Sequence, residues 1–417
     1  MKMTERPSML SPFGVRNYRF QWSSDLMTSC ATEMETIILG WFIFIETSSV
    51  PLLTLFASLQ YFGTLIAPAF GLAGDRLGHR NVILCMRTTY ALLAVVIAVL
   101  ALTCTLSPLS ALVIAGLAGL LRPSDMGMRN VLTTRMVAGD RLMSAISLSR
   151  ITTDSARIVG ALTGASVVAL LGIQWAYPFI VVFYLASAAL MVSIHQPSSK
   201  PPAGGVVLPF TPVKDFIDAL RALGNSPPHL AAMLLAFLVN LMAFPFTLGL
   251  LPYIAREVYQ AGHAGLGYLT AATGVGALAA SLLLGHLGHS VRPARMMLIF
   301  GAVWHCLVLL LGQTESMLIG LVVLAMIGAA SILCLLPLSV LLLRGVHPDL
   351  LGRIMGIRMQ AVYGLPIGLL VSGPLIDSVG FSWAATLYGG LGLILTGMIG
   401  GHWFPHLWPA SVVSNQG

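Results

Sequence analysis

The ten residues Gly71-Leu72-Ala73-Gly74-Asp75-Arg76-Leu77-Gly78-His79-Arg80 lie between two long apolar stretches. They supply what a sharp chain reversal at a membrane surface needs: glycine, which tolerates backbone angles other residues avoid, and a carboxylate beside arginines able to pair with it. A helix crosses the hydrocarbon core with ~20 mostly apolar residues. The flanking stretches, at approximately 51 to 73 and 82 to 104, meet that length.

Ten further segments qualify, at approximately 20 to 45, 109 to 128, 143 to 171, 174 to 194, 230 to 254, 264 to 287, 296 to 313, 317 to 343, 354 to 375 and 382 to 404. The expected fold is an all-α integral membrane protein with twelve transmembrane helices. Composition agrees: of 417 residues 57% are hydrophobic and 9% charged, against roughly a quarter charged in a soluble domain. A mean hydropathy of +0.89 leaves no stretch polar enough to fold in water alone. Cys30, Cys85, Cys104, Cys306 and Cys334 lie in or beside apolar segments without CxxC or Cys/His spacing, so neither a disulfide framework nor a metal site is expected. Met1 to Arg19 is polar and basic, and acids interrupt the apolar run after Arg19, so the first span is read as retained.

A net charge of +7 and a pI of about 9.4 would suggest nucleic acid in a soluble protein. Placed on twelve spans, the basic residues have another reading. Eighteen of the 22 fall on one side: Lys2, Arg6, Arg16 and Arg19, then Arg76, Arg80 and Arg87, then Arg129, Arg135 and Arg141, and on through Lys200, Lys214, Arg221, Arg292, Arg295, Arg344, Arg353 and Arg358. The other side holds only Arg256, beside Glu257, while Arg122, Arg150 and Arg157 fall within or at the edge of spans. Cytoplasmic loops carry such an excess, so both termini are expected in the cytoplasm of a bacterium whose inner membrane the chain spans. No nucleic-acid partner is needed.

The polar stretch from His195 to Pro228 divides the spans six and six. This gives a first bundle over 1–194, a cytoplasmic linker over 195–228 and a second bundle over 229–417. A faint repeat supports the division. Gly172-Ile173-Gln174-Trp175-Ala176 answers Gly380-Phe381-Ser382-Trp383-Ala384, and Asp140 answers Asp349, at offsets of 208 or 209 residues. Paired six-span halves place a substrate near the midplane and expose it to each side in turn by rocking.

The opening decapeptide resembles the signature loop of the major facilitator superfamily, Gly-x-x-x-Asp-Arg-x-Gly-x-Arg, intact at Gly71, Asp75, Arg76, Gly78 and Arg80. A degenerate copy, Gly285 to Arg292, follows the eighth span. The resemblance implies the major facilitator fold of two pseudo-symmetric six-helix bundles. It also implies a conformational latch, in which the loop carboxylate faces the start of span 11 and joins an ionic relay, with Asp75, Arg129 and Asp140 the matching residues. Arg122 stands where many proton-coupled exporters of this family keep an intramembrane arginine. Gly160-Ala161-Leu162-Thr163-Gly164-Ala165 is similar to the antiporter signature Gly-Pro-x-x-Gly-Gly, with Ala161 and Ala165 replacing its Pro and second Gly; small residues there also permit close packing. Within the family the chain resembles drug and siderophore exporters of the enterobactin-exporter and macrolide-efflux kinds, through Arg157 to Gly160, His289 to Pro293 and Leu351 to Gly356.

Ionisable groups inside a span face a polar cavity or a partner. The first span carries Asp25, Glu33 and Glu35, with the glutamates flanking a polar stripe at ~100° per residue. The fifth places Arg150, Asp154 and Arg157 on one face, which makes Asp154 a structural partner and a poor proton carrier. Glu33 or Glu35 could take a proton in each cycle, or could pair with the span 5 arginines. Asp25 could instead sit near the cytoplasmic interface. The second half offers Asn240, Gln360 and Tyr363 as cavity candidates, and His305 as a packed histidine or a ligand.

No nucleotide-binding glycine loop, metal-ligand helix or nucleophile elbow occurs. Neither enzyme activity, catalytic residues, a metal nor a cofactor is expected, and the energy should come from a proton gradient or the substrate's own gradient. The leading expectation is a monomeric secondary active transporter in the lipid bilayer, exporting a small amphipathic, drug- or siderophore-like molecule against protons. Import or uniport of a metabolite is the alternative within transport, and a non-transporting receptor or assembly factor the alternative outside it.

Overall fold

The computed structural model describes residues 10–137, 139–195, 226–287, 292–343 and 361–408. Among them there is no strand. The first stretch of helices is α1 (Arg16–Thr47), α2 (Val50–Leu59), α3 (Ala67–Leu77), α4 (His79–Leu102), α5 (Pro108–Met136), α6 (Gly139–Leu171) and α7 (Ile173–Val192). The second is α8 (Pro227–Met242), α9 (His263–Leu287), α10 (Pro293–Leu311), α11 (Met317–Leu343), α12 (Gly364–Val379) and α13 (Phe381–His402).

Among the described residues, nine of these helices are long and apolar enough to cross a membrane, and α2 with α3, bent by 51°, bring the number to ten when the bent pair is counted as one span. The shorter apolar helices α8 and α12 stand where the remaining two of the twelve expected spans lie. The linker expected over 195–228 and the motif Leu351 to Gly356 lie almost wholly outside the described residues.

Local chemistry sets the breaks. Gly78, at φ 88°, ψ 130°, turns the chain from α3 into α4, a conformation that favours glycine. Gly172 at φ 77° and Gly380 at φ 84° precede α7 and α13 in nearly the same conformation. The sequence repeat therefore has a backbone counterpart. At the bend between α2 and α3, a Cβ on Gly63 would strike the Leu120 carbonyl and one on Gly119 the Leu59 carbonyl. Close approach of backbones through small residues is how helices associate where lipid removes the hydrophobic drive.

Two compact units result, one of Met1–Gly205 with Leu251–Val275, the other of Val206–Leu250 with Gly276–Gly417. Leu251–Val275 thus groups with the first unit, although the linker alone would place it in the second half. The physical reason is packing on α1 and α6: the Phe44 and Tyr253 rings lie 5.6 Å apart and those of Trp41 and His263 4.7 Å, and a Cβ on Gly267 would lie 2.7 Å from that of Ala165. In the first unit α1 packs mainly on α6 and α7, and α4 on α7 and α5. In the second, α10 packs on α11 and α13, where Gly392 lies directly under the His305 ring.

Candidate functional site

Among the described residues, the paired charges inside the first unit are carried on four helices. Five arginines, Arg87, Arg122, Arg129, Arg150 and Arg157, meet five carboxylates, Asp25, Glu33, Glu35, Asp125 and Asp154, in three groups. Equal numbers of each sign are what a low-dielectric interior demands, since an unpaired charge there is expensive.

The innermost group is built on Glu35. Its side chain, 5% exposed, accepts from Arg122 Nη2 at 2.5 Å and from the Tyr184 hydroxyl at 3.0 Å. Arg122 also donates from Nη1 to Gln60 and to Thr36 Oγ1, the latter at 3.1 Å, and Thr36 in turn donates to Gln60 Oε1 at 3.1 Å. A carboxylate of α1, an arginine of α5, a phenol of α7 and the Gln60 amide after α2 so form one closed cluster. If Glu35 becomes neutral, Arg122 keeps two uncharged acceptors.

Roughly 15 Å along α1, at 1.5 Å per residue, lies the second group. Arg87, fully buried on α4, donates to Asp25 Oδ1 at 2.8 Å and to Asp125 Oδ2 at 3.3 Å. Arg129 grips Asp125 through Nε at 2.8 Å and through Nη2, and lies 3.7 Å from Asp25. Gln21 fixes the α5 backbone beside it by donating to the Arg129 carbonyl and to Thr133, both at 2.9 Å. The third group joins α1 to α6: Glu33 stands 3.6 Å from Arg157, while Arg150 donates to the buried Asp154 at 3.1 Å.

These contacts sort the sequence candidates. Glu35 and Glu33 each have an arginine partner, on α5 and α6 respectively. Asp25 belongs to a buried network; its side chain is 14% exposed. Arg129 does not meet Asp75, because it lies seven residues after Arg122 on the same face of α5 and turns inward to Asp125 and Asp25. Asp75, largely exposed, faces Arg135 at 3.4 Å and His79 at 3.8 Å instead. Arg80 donates to the Val192 carbonyl at 2.6 Å, tying α4 to the end of α7. Arg76 is exposed, and nothing crowds Gly71. The Asp140 side chain and Gln360 lie outside the described residues.

Gly160 and Gly164 hold α6 tightly on α1: a Cβ on Gly160 would be 2.9 Å from the Cys30 carbonyl, and one on Gly164 3.0 Å from Met34 Cα. In the second unit Asn240 donates back to the Ala236 carbonyl at 2.8 Å, Tyr363 precedes α12, and His305 is buried with Nδ1 2.8 Å from the Gly301 carbonyl. Among the described residues no group of three His, Cys, Asp or Glu could hold a metal ion.

Arg87, Asp125, Tyr184 and Gln60 are the residues the sequence reading missed. Arg87 counts as a loop residue in the charge tally although its position falls inside the third span. Asp125 is a visible signal, an acid three residues after Arg122 in one span.

Long apolar helices with paired charges buried among them define a multi-pass membrane protein. The profile of the Major Facilitator Superfamily matches residues 26–366, and the chain belongs to that family. It is 28% identical over 269 residues to the enterobactin exporter EntS of Citrobacter koseri, a match covering 64% of this chain and 62% of that protein. The chain therefore spans less than two thirds of that relative's length. In fold it is similar to a POT family transporter in complex with a thioalcohol-conjugated peptide, at 10% identity and TM-score 0.74, covering 94% of this chain and 97% of the other. The human organic anion transporter MFSD10 (TETRAN) is similar at 17% identity and TM-score 0.64, covering 92% and 99%.

Proposed function

We propose that this transporter exports a small amphipathic, drug- or siderophore-like molecule across the bacterial inner membrane, both termini cytoplasmic, in exchange for protons. It works by alternating access, as a monomer, with no cofactor, and Glu35 is the carboxylate that loads and releases the coupled proton. The observation that carries this reading is the Glu35 cluster, in which a membrane-buried carboxylate is held by an arginine that also reaches Gln60 and Thr36 and by a phenol that also lies 3.2 Å from Thr32 Oγ1. Glu33 lacks that surrounding and is more exposed. The export direction draws on the EntS relative, named an exporter, and on Gly160 and Gly164.

Inverted membrane vesicles provide the test, because substrate exported by the cell enters them. With an acid interior, the vesicles should accumulate enterobactin, a macrolide or a cationic dye, and a protonophore should abolish the accumulation. Accumulation only in right-side-out vesicles, or accumulation indifferent to the protonophore, would contradict the proposal.

A further inference from the structure

Between the Glu35 cluster and the Asp25–Arg87–Asp125–Arg129 network lie polar atoms with no hydrogen-bond partner among the described residues: Arg87 Nε, the Tyr90 hydroxyl, Ser124 Oγ, Asp125 Oδ1 and Arg122 Nε. Arg87, Tyr90, Ser124 and Asp125 are all more than nine-tenths buried. Buried polar groups in folded proteins are hydrogen-bonded with few exceptions. Where side chains leave them unsatisfied, an ordered water with two to four polar neighbours does the work.

The geometry gives these atoms a direction. Tyr90 is one turn beyond Arg87 on α4, and Arg122 one turn before Asp125 on the antiparallel α5. The Tyr90 phenol is buried with its hydroxyl unpaired among the described residues. Its ring centroid lies 5.6 Å from that of Tyr184, whose hydroxyl donates to Glu35. At the far end, Asp25 lines a cleft in which Ser29, Arg129, Asn130 and Arg150 stand beside the apolar Trp22 and Met126.

We propose that water bound at the Tyr90 hydroxyl joins Asp125 to Tyr184, making a proton route inside the first unit from Glu35 to Asp25. The route rests on the reading of Glu35 as the coupled proton's carrier. In the transfer the Glu35 O–H bond breaks as the Tyr184 oxygen gains that proton and gives up its own to the water chain. Each bridging oxygen likewise accepts one proton and releases one, so the phenols and waters end unchanged. Glu35 ends ionised, and the proton comes to rest on Asp25, the carboxylate that borders the cleft, until water there removes it.

The test is Tyr90→Phe, which removes only a hydroxyl with no protein partner. Purified protein is taken through a rapid pH change, and the carboxylic acid C=O stretch is followed by infrared spectroscopy; Glu35→Gln identifies the Glu35 band. The route predicts the same band amplitude in Tyr90→Phe, with the rate of change slowed about a hundredfold or more, the scale typical of one positioned proton-transfer group. An unchanged rate overturns the route and leaves Glu35 as carrier. A spectrum with no band that Glu35→Gln removes overturns the carrier reading itself. A high-resolution structure should also place an ordered water on the Tyr90 hydroxyl, and a phenol packed dry would overturn the route.

Discussion

Asp125→Asn probes the buried charge balance most sharply. Asp25 and Asp125 face Arg87 and Arg129 with zero net charge, and Asp125 alone contacts both guanidiniums closely, at 2.8 Å to Arg129 Nε and 3.3 Å to Arg87 Nη1. Asparagine keeps the shape and removes the charge, leaving two arginines against one carboxylate at a site where Arg87 has no exposed surface. Removing one partner of a buried ion pair costs about 3–5 kcal/mol. An unfolding entropy of about 2.1 cal/mol/K per residue makes each kcal/mol worth about 1 °C in a chain of 417 residues, so the variant should melt about 3–6 °C lower. Adding Arg87→Met restores neutrality, with Asp25 left to Arg129, and should recover much of the loss. The assay is thermal unfolding in detergent by intrinsic fluorescence. A double variant at least as unstable as the sum of its two singles would refute charge balance as the organising force.

In Gly392→Ala the new methyl overlaps the buried His305 ring, an overpacking that costs about 1–3 kcal/mol. His305→Ala in the same chain should restore the melting temperature. Gly160→Val, placing bulk 2.9 Å from the Cys30 carbonyl, should separate α6 from α1 and lower it by about 1–4 °C. Asp75→Asn should change stability by less than about 1 kcal/mol, because its contact with Arg135 is solvent-exposed. A shift beyond that, read by the same melts, would mean that Asp75 has a buried partner.

What the sequence disclosed was the part written in local chemistry. Segment length and hydropathy found the helices, and Gly78 announced the turn that its φ then required. The fixed spacing of Arg150 and Asp154 foretold a pair on one helix face. Pairing between helices was less visible. Arg122 stood out as a charge inside a span, but its partners Glu35, Gln60 and Thr36 come from other segments, brought together only by packing through Gly63, Gly119, Gly160 and Gly164. Arg87 and Arg129 were misplaced for a physical reason: near a helix end the same residue can snorkel to water or turn inward to a carboxylate. Only the position of Asp125 and Asp25 on neighbouring helices decides between these. The grouping of Leu251–Val275 with the first unit depends likewise on Tyr253 and His263 meeting α1 and on Gly267 meeting α6, contacts no linker composition reveals.

The central claim is that Glu35, held by Arg122 and Tyr184, couples proton movement to substrate. It is tested most directly by recording luminal pH in acid-loaded inverted vesicles as enterobactin, a macrolide or a dye is added to wild type, Glu35→Gln and Glu33→Gln. The account predicts substrate-triggered proton release in wild type and in Glu33→Gln, and none in Glu35→Gln. Proton release that survives Glu35→Gln, or is lost only in Glu33→Gln, would contradict it.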